Sequence, residues 1–215
     1  MQRIEILNFL ISMKKYATME DIEDAVAHGI LVSRLAYLLS KELSLTEEFC
    51  IELEQAGLVH DIGKLKLGQY LYGRQKNSLQ IEEIKYVRMH PTIGYEILKS
   101  TNKFNDRILM AVYHHHENID GSGYPGNLKG EDIPLGAKIL RPCDVFSALV
   151  SERHYRTAFD IDTTMELMID EVKNFDMKIF LAFMRVIHSE EFQEIENYII
   201  KSNQQFGKKS KAATY

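Results

Sequence analysis

His60-Asp61-Ile62-Gly63-Lys64 and, downstream, His115-His116-Glu117-Asn118-Ile119-Asp120-Gly121-Ser122-Gly123-Tyr124-Pro125 are the two stretches that decide how this chain reads. The first sets an imidazole beside a carboxylate, so the carboxylate can bridge two cations while the imidazole anchors one. The second places adjacent histidines ahead of a tight Asp-Gly-Ser-Gly turn, an arrangement that lowers stability unless something uses the imidazoles. An isolated His-Asp pair is more often a helix end or a surface pair than a metal site. The two stretches together point to metal-assisted hydrolysis of a phosphoester.

The segments around them read as helices. Thr18 with Asp21 fits a capping box, and Ile22, Val26, Ile30, Leu31, Leu35, Leu38 and Leu39 recur at helical spacing to Leu43, which predicts a long amphipathic helix carrying His28. A second helix is expected from about Thr46 to His60, with the His-Asp pair at its C-terminal end before the turn through Gly63. Lys66 to Ser78 reads as a loop, Leu79 to Met89 as helix, and Pro91 as the opening of the next helix. Ile93 to Leu98 and Ile108 to His116 are two short helices, followed by a Gly- and Pro-rich loop from Asp120 to Pro134. Compact domains rarely keep so long a loop without a use. Leu135 to Val150 is helical again. Asp162 and Asp176 are read as caps of helices over about Thr163 to Asn174 and Met177 to Ile187, with a last helix near Glu190 to Ile200.

Composition narrows the class. With 215 residues and 45% apolar content, the chain can bury a sizeable core, and strand signals are scarce, so an all-α fold is expected. A formal charge of −5 excludes a general binder of polymeric nucleic acid, which needs a basic face, and leaves a small anionic ligand open. Cys50 and Cys143 stand far apart with no CxxC spacing, so neither a disulfide nor a thiolate zinc site is expected. No stretch reaches the roughly 20 apolar residues that span a bilayer, and Met1 to Tyr16 lacks the pattern of a signal peptide. A cytoplasmic protein without membrane contact is expected. Phe206 to Tyr215 reads as a frayed tail.

His28, His60, Asp61 and Asp144 fall in that order on separate expected helices. Singly, His28 reads as a satisfied core histidine, His90 before Pro91 as a cap, and Asp144 as a charge near a helix N-terminus. Asp24 lies one helical turn before His28 on the same face, where it either reaches a metal or is one more solvated acid beside Glu20, Asp21 and Glu23. Lys64 follows Asp61 by three residues and is a candidate to point its ammonium at a substrate phosphate. Histidines and carboxylates without thiolates suit iron, manganese or other first-row ions.

The order His, His-Asp, Asp matches the signature of the HD phosphohydrolase superfamily, and HDxGK followed by HHExxDGxGYP resembles its HD-GYP branch of cyclic di-GMP phosphodiesterases. The resemblance runs from about Ala25 to Phe183 and implies an HD-domain helical bundle: a catalytic domain over 25–203, preceded by a helical segment at 1–24 and followed by a flexible tail at 204–215. It implies that His28, His60, Asp61, His90, His115, His116 and Asp144 hold two first-row metal ions, with Asp61 reaching both. Asp61 and Lys64 are then the catalytic pair. Some relatives place a Glu ligand for a third ion where this chain has Asp24, so a weak third site is expected there. Lys64, Tyr124, Arg153 and Arg156 correspond to substrate contacts; His114 has no counterpart and stays outside the ligand set.

The implied reaction opens cyclic di-GMP to linear pGpG, with GMP as a further product. Two alternatives stay open: a weakly active or inactive module that binds cyclic di-GMP and signals, and a hydrolase of another cyclic dinucleotide or nucleotide. A homodimer or a signalling partner protein also stays open. The chain departs from the family pattern at Asn118-Ile119, which replaces a basic-aromatic pair, and at Arg141-Pro142-Cys143, which replaces a small apolar run. It departs again at Ser147, where a second Asp is usual, and at His154, where a Pro is usual.

Overall fold

A computed structural model of the chain describes residues 3–68, 81–152 and 156–212. Among these residues, helices follow one another from end to end and no β-strand occurs, as the scarcity of strand signals predicts. The helices are α1 (Arg3–Ile11), α2 (Met19–Glu42), α3 (Glu47–Val59), α4 (Ile62–Lys66), α5 (Ile81–Val87) and α6 (His90–Ser100). They continue as α7 (Asp106–His114), α8 (Leu135–Val150), α9 (Ile161–Asp170), α10 (Met177–Ile187) and α11 (Phe192–Ala212).

Side-chain caps set five of the helix starts. Thr18 and Asp21 form the reciprocal capping box that opens α2, and Thr46, Asn105, Asp160 and Asp176 accept backbone N–H bonds at the starts of α3, α7, α9 and α10. Each such cap is worth about 1 kcal/mol. The cap of α9 is Asp160, not Asp162: the Asp160 carboxylate accepts from both the N–H and the hydroxyl of Thr163, and Asp162 lies in the first turn. The last helix also runs on to Ala212, through the stretch that reads as a frayed tail, because Phe192, Ile195 and Ile199 anchor its first turns in the core. Most of the loop expected over Lys66 to Ser78 lies outside the described residues.

α2 and α3 form the spine. Their backbones meet closely: a Cβ on Gly29 would press on the carbonyl of Leu58, and one on Gly57 would press on the backbone of Ser33. α8 packs across α2, while α6 and α7 lie between α4 and α8. Leu35, Leu39, Leu53, Ile139 and Phe146, with Phe183 of α10 against them, are fully buried in this core, each contributing on the order of 1.5–3 kcal/mol. Ile6 and Leu10 of α1 join the same core, so the segment before Asp24 packs as part of the bundle. Cys50 and Cys143 are buried free thiols. No described helix is long and apolar enough to cross a membrane.

Candidate metal centre

Five elements converge on one point of the bundle. α2 supplies His28 from its middle, the α3–α4 junction supplies His60 and Asp61, α6 begins with His90, the end of α7 supplies His115 and His116, and α8 supplies Asp144. Gly63 makes this convergence possible. It sits inside α4 against the start of α6, where a Cβ would overlap the carbonyl of His90, so the glycine of HDxGK serves a close helix contact and not merely a turn.

The side chains fall into two groups, His28, His60, Asp61 and Asp144 in one and Asp61, His90, His115 and His116 in the other, with the donor atoms of each within 4.8 Å of one another. Asp61 belongs to both and divides its oxygens between them. Its Oδ2 lies 3.4 Å from His60 Nε2 and 3.7 Å from His28 Nε2. Its Oδ1 lies 3.1 Å from His90 Nε2 and 3.8 Å from His115 Nε2. His28 Nε2 also meets Asp144 Oδ1 at 3.0 Å.

Three of the rings are oriented in the same way. His60, His90 and His115 donate Nδ1–H to the carbonyl three residues back, on Gly57 at 2.7 Å, Val87 at 2.7 Å and Val112 at 2.6 Å. A carbonyl only accepts, so these bonds fix the tautomer and turn every Nε2 toward the cluster. The Nε2 atoms of His90 and His115 then stand 3.1 Å apart with lone pairs facing. That arrangement is unfavourable unless a cation lies between them. His60 Nε2, Asp61 Oδ1 and His116 Nε2 are buried and make no hydrogen bond. Buried polar atoms without partners are costly, and these are arranged as ligands are. The residues therefore fit metal ions in both groups.

The electrostatics of the two groups differ. Burial works against a charged His60, but Asp61 and Asp144 beside it outweigh burial and raise its pKa to about 10. Burial also opposes ionised Asp61 and Asp144. Lys64 and His60 nevertheless hold Asp61 well below the usual carboxylate range, and the hydrogen bond to His28 together with the nearby His60 does the same for Asp144. In the second group burial wins: it lowers His90, takes His115 down to about 4, and pushes His116 well below the ordinary histidine value.

The other expected site residues are placed as follows. Lys64 Nζ donates to Asp61 Oδ2 at 2.7 Å. The Tyr124 ring stacks on His116, with centroids 4.7 Å apart and planes at 23°, and the Arg88 guanidinium lies 5.3 Å from its centroid. Asp24 belongs to neither ligand group but lines a cavity of about 170 Å³ together with His28, Asp61 and Lys64. Arg153 lies outside the described residues. Arg156 is not brought to the centre: its guanidinium donates to the carbonyls of Ala148, Leu149 and Thr157, closing the C-terminal end of α8. Asp144 sits well inside α8, so it is not an N-terminal helix charge. His114 faces away, 3.4 Å from Glu117.

Three structural features around the centre carry no assigned role in the sequence pattern. Glu117 is buried and accepts from the N–H groups of Gly126 at 2.6 Å and Leu128 at 3.0 Å, which folds the Asp120 to Pro134 loop back over α7. Bonds of this charge-assisted kind are worth roughly 1.5–3 kcal/mol. Arg141 donates to Asn118, two residues before that loop begins. α11 walls the cavity beside Asp24 with Ser202 and Phe206, and is tied down where Asn203 donates to Val150 O at 2.8 Å and accepts from Glu152 N at 2.9 Å. The spacing of Tyr198 and Phe206, eight residues apart, was the available sign that this helix keeps one face inward.

The model of the HD domain family matches residues 6–179. A cyclic di-GMP phosphodiesterase of Pseudomonas aeruginosa is 31% identical over 180 residues, which are 84% of this chain and 43% of that protein. The cyclic di-GMP phosphodiesterase response regulator RpfG of Xanthomonas campestris is 36% identical over 156 residues, 72% of this chain and 41% of that protein. The chain thus spans under half the length of these two relatives. Among solved structures, a cyclic GMP-AMP specific phosphodiesterase of Vibrio cholerae superposes with a TM-score of 0.63 at 15% identity, covering 92% of this chain and 53% of the other.

Proposed function

Because this chain belongs to the HD domain family and carries the HD-GYP stretch from His115 to Pro125, we propose that it is a metal-dependent phosphodiesterase that opens cyclic di-GMP to linear pGpG, with GMP as the further product. The observation that carries the reading is Asp61, whose two oxygens are divided between two ligand groups. His28, His60 and Asp144 would hold one ion and His90, His115 and His116 the other, with Asp61 shared. Iron or manganese suits this set of nitrogen and oxygen donors without thiolates. When bound, such a pair supplies Lewis-acid stabilisation of phosphoryl charge and lowers the pKa of water.

The chain's own residues do the rest. The carbonyl bonds from His60, His90 and His115 hold the rings in place, so little reorganisation is needed during reaction. Lys64, already 2.7 Å from Asp61, keeps a positive charge where a non-bridging phosphate oxygen would sit. Tyr124 closes the side of the centre next to His116 and excludes water there. Asp24, on the cavity wall and outside both ligand groups, would give at most a weak third ion.

The test is metal analysis of anaerobically purified protein followed by product analysis with cyclic di-GMP, cyclic di-AMP, cyclic GMP-AMP and mononucleotide phosphoesters. Two ions per chain and conversion of cyclic di-GMP to pGpG are expected. Full metal loading with tight binding but no cleavage of any of them would overturn the enzyme reading in favour of a binding module. Cleavage confined to another substrate would overturn the choice of cyclic di-GMP.

A further inference from the structure

Arg141 is a cation beside the centre that, among the described residues, forms no ion pair with a carboxylate. It lies on α8 one turn before Asp144 and so on the same face of that helix. Its Nε donates to Asn118 Oδ1 at 3.0 Å, and its guanidinium lies 6.0 Å from the centroid of Phe175. Among the described residues, its two terminal amino groups have no hydrogen-bond partner and no carboxylate lies within ion-pair distance. Two other cations differ: Lys64 is paired with Asp61, and Arg156 spends its amino groups on three carbonyls.

Asn118 is itself held, since its Nδ2 donates to Ser122 Oγ, which donates to Asp120 Oδ1. The bond to Nε therefore fixes the direction of the guanidinium without neutralising it. Burial pushes down the Arg141 pKa, while the carboxylates of Asp144 and Glu171, beyond ion-pair distance, act the other way. A half-buried charge without a counter-charge is destabilising. A planar fork with both amino groups unused matches two oxygens of a phosphate.

We propose that Arg141 is a substrate-binding residue of this centre, oriented by Asn118 and grasping a phosphate of the bound cyclic dinucleotide on the side of Tyr124. The assignment rests on the phosphodiesterase reading for the identity of the substrate, but not for the phosphate chemistry. Asn118 is then a positioning residue that acts through Arg141. Because the contact is to phosphate, it is indifferent to the bases.

The experiment compares Arg141→Gln, Arg141→Lys and Asn118→Ala with the parent protein, all metal-loaded, by calorimetry with two probes. One probe is inorganic phosphate; the other is a phosphorothioate analogue of a cyclic dinucleotide that resists cleavage, in guanine and adenine forms. Arg141→Gln should weaken both probes about ten- to hundredfold, the worth of one charge-assisted bond, with unchanged metal stoichiometry and no fall in melting temperature. Arg141→Lys should recover part of the loss, and Asn118→Ala should lose less than Arg141→Gln. Parental affinity for phosphate but for no cyclic dinucleotide would refute the substrate and, if Arg141→Gln still weakens phosphate, uphold the assignment. Unchanged affinities in Arg141→Gln, losses equal to those of Asn118→Ala, or a loss confined to the guanine form would overturn it.

Discussion

The two halves of the ligand cluster share Asp61 and little else. The half built from His28, His60 and Asp144 is rich in carboxylate, and without metal a proton on His60 sits between Asp61 and Asp144. The half built from His90, His115 and His116 has one carboxylate for three imidazoles, and burial holds those rings neutral. Local carboxylate content thus decides whether a buried histidine in this bundle is charged. One half must give up a proton to take a cation, and the other presents lone pairs already facing one another.

The largest effect comes from removing what the halves share. Asp61→Ala should empty both groups together and lower turnover by at least about three decades, since a pair of ions held there would supply several kcal/mol of transition-state stabilisation. His60→Ala and His115→Ala should each weaken one ion more than the other. Metal analysis with turnover assays decides this, and an Asp61→Ala protein with two ions and full activity would show that the two groups are not one centre.

A smaller effect should fall on one half alone. Gly63→Ala puts a methyl group into the His90 carbonyl and against the backbone N of Gly94, which must push α6 away from α4. The expected cost is about 1–3 kcal/mol for overpacking, or a few degrees of melting temperature per kcal/mol in a domain of this size. Because His90 moves and His28 does not, the ion held by His90, His115 and His116 should be lost first. Equal loss of both ions would mean that α4 and α6 shift as a unit and that the halves are mechanically one.

Much of this was legible in the sequence, for reasons visible in particular residues. Thr18, Thr46 and Asp176 announce their helices because capping is local chemistry, and the residues that cluster at the centre are readable as a group because composite motifs are specific. What was not legible depends on contacts distant in sequence. Asp160 takes the cap expected of Asp162, and Arg156 closes α8 instead of facing the centre, because both outcomes depend on how the chain turns after Val150. The bond between Asn118 and Arg141 joins two departures from the family pattern that lie 23 residues apart, and only the folded loop brings them together. The reach of α11 to Ala212 was hidden because its apolar spacing thins after Ile200.

The smallest expected effect is the most direct test of the contrast between the halves, and it uses the metal-stripped protein. His60 has a folded pKa of about 10, above the ordinary 6.5, so the stability it lends is complete below about pH 6.5 and is lost as pH rises toward 10. His115, lowered to about 4, has the opposite sign: the unfolded chain takes up a proton first, so stability falls as pH drops from about 6.5 toward 4. Asp61 and Asp144, both lowered, add to the loss on the acid side. Melting temperature measured against pH in chelator should therefore form a dome, with His60→Gln flattening its alkaline limb and His115→Gln its acid limb, each by a few degrees. The slopes carry the test, since either substitution also shifts the whole curve by disturbing its neighbours. If both variants flattened the same limb, the two halves would titrate as one coupled group, and the difference in carboxylate content would not govern the charge of their histidines.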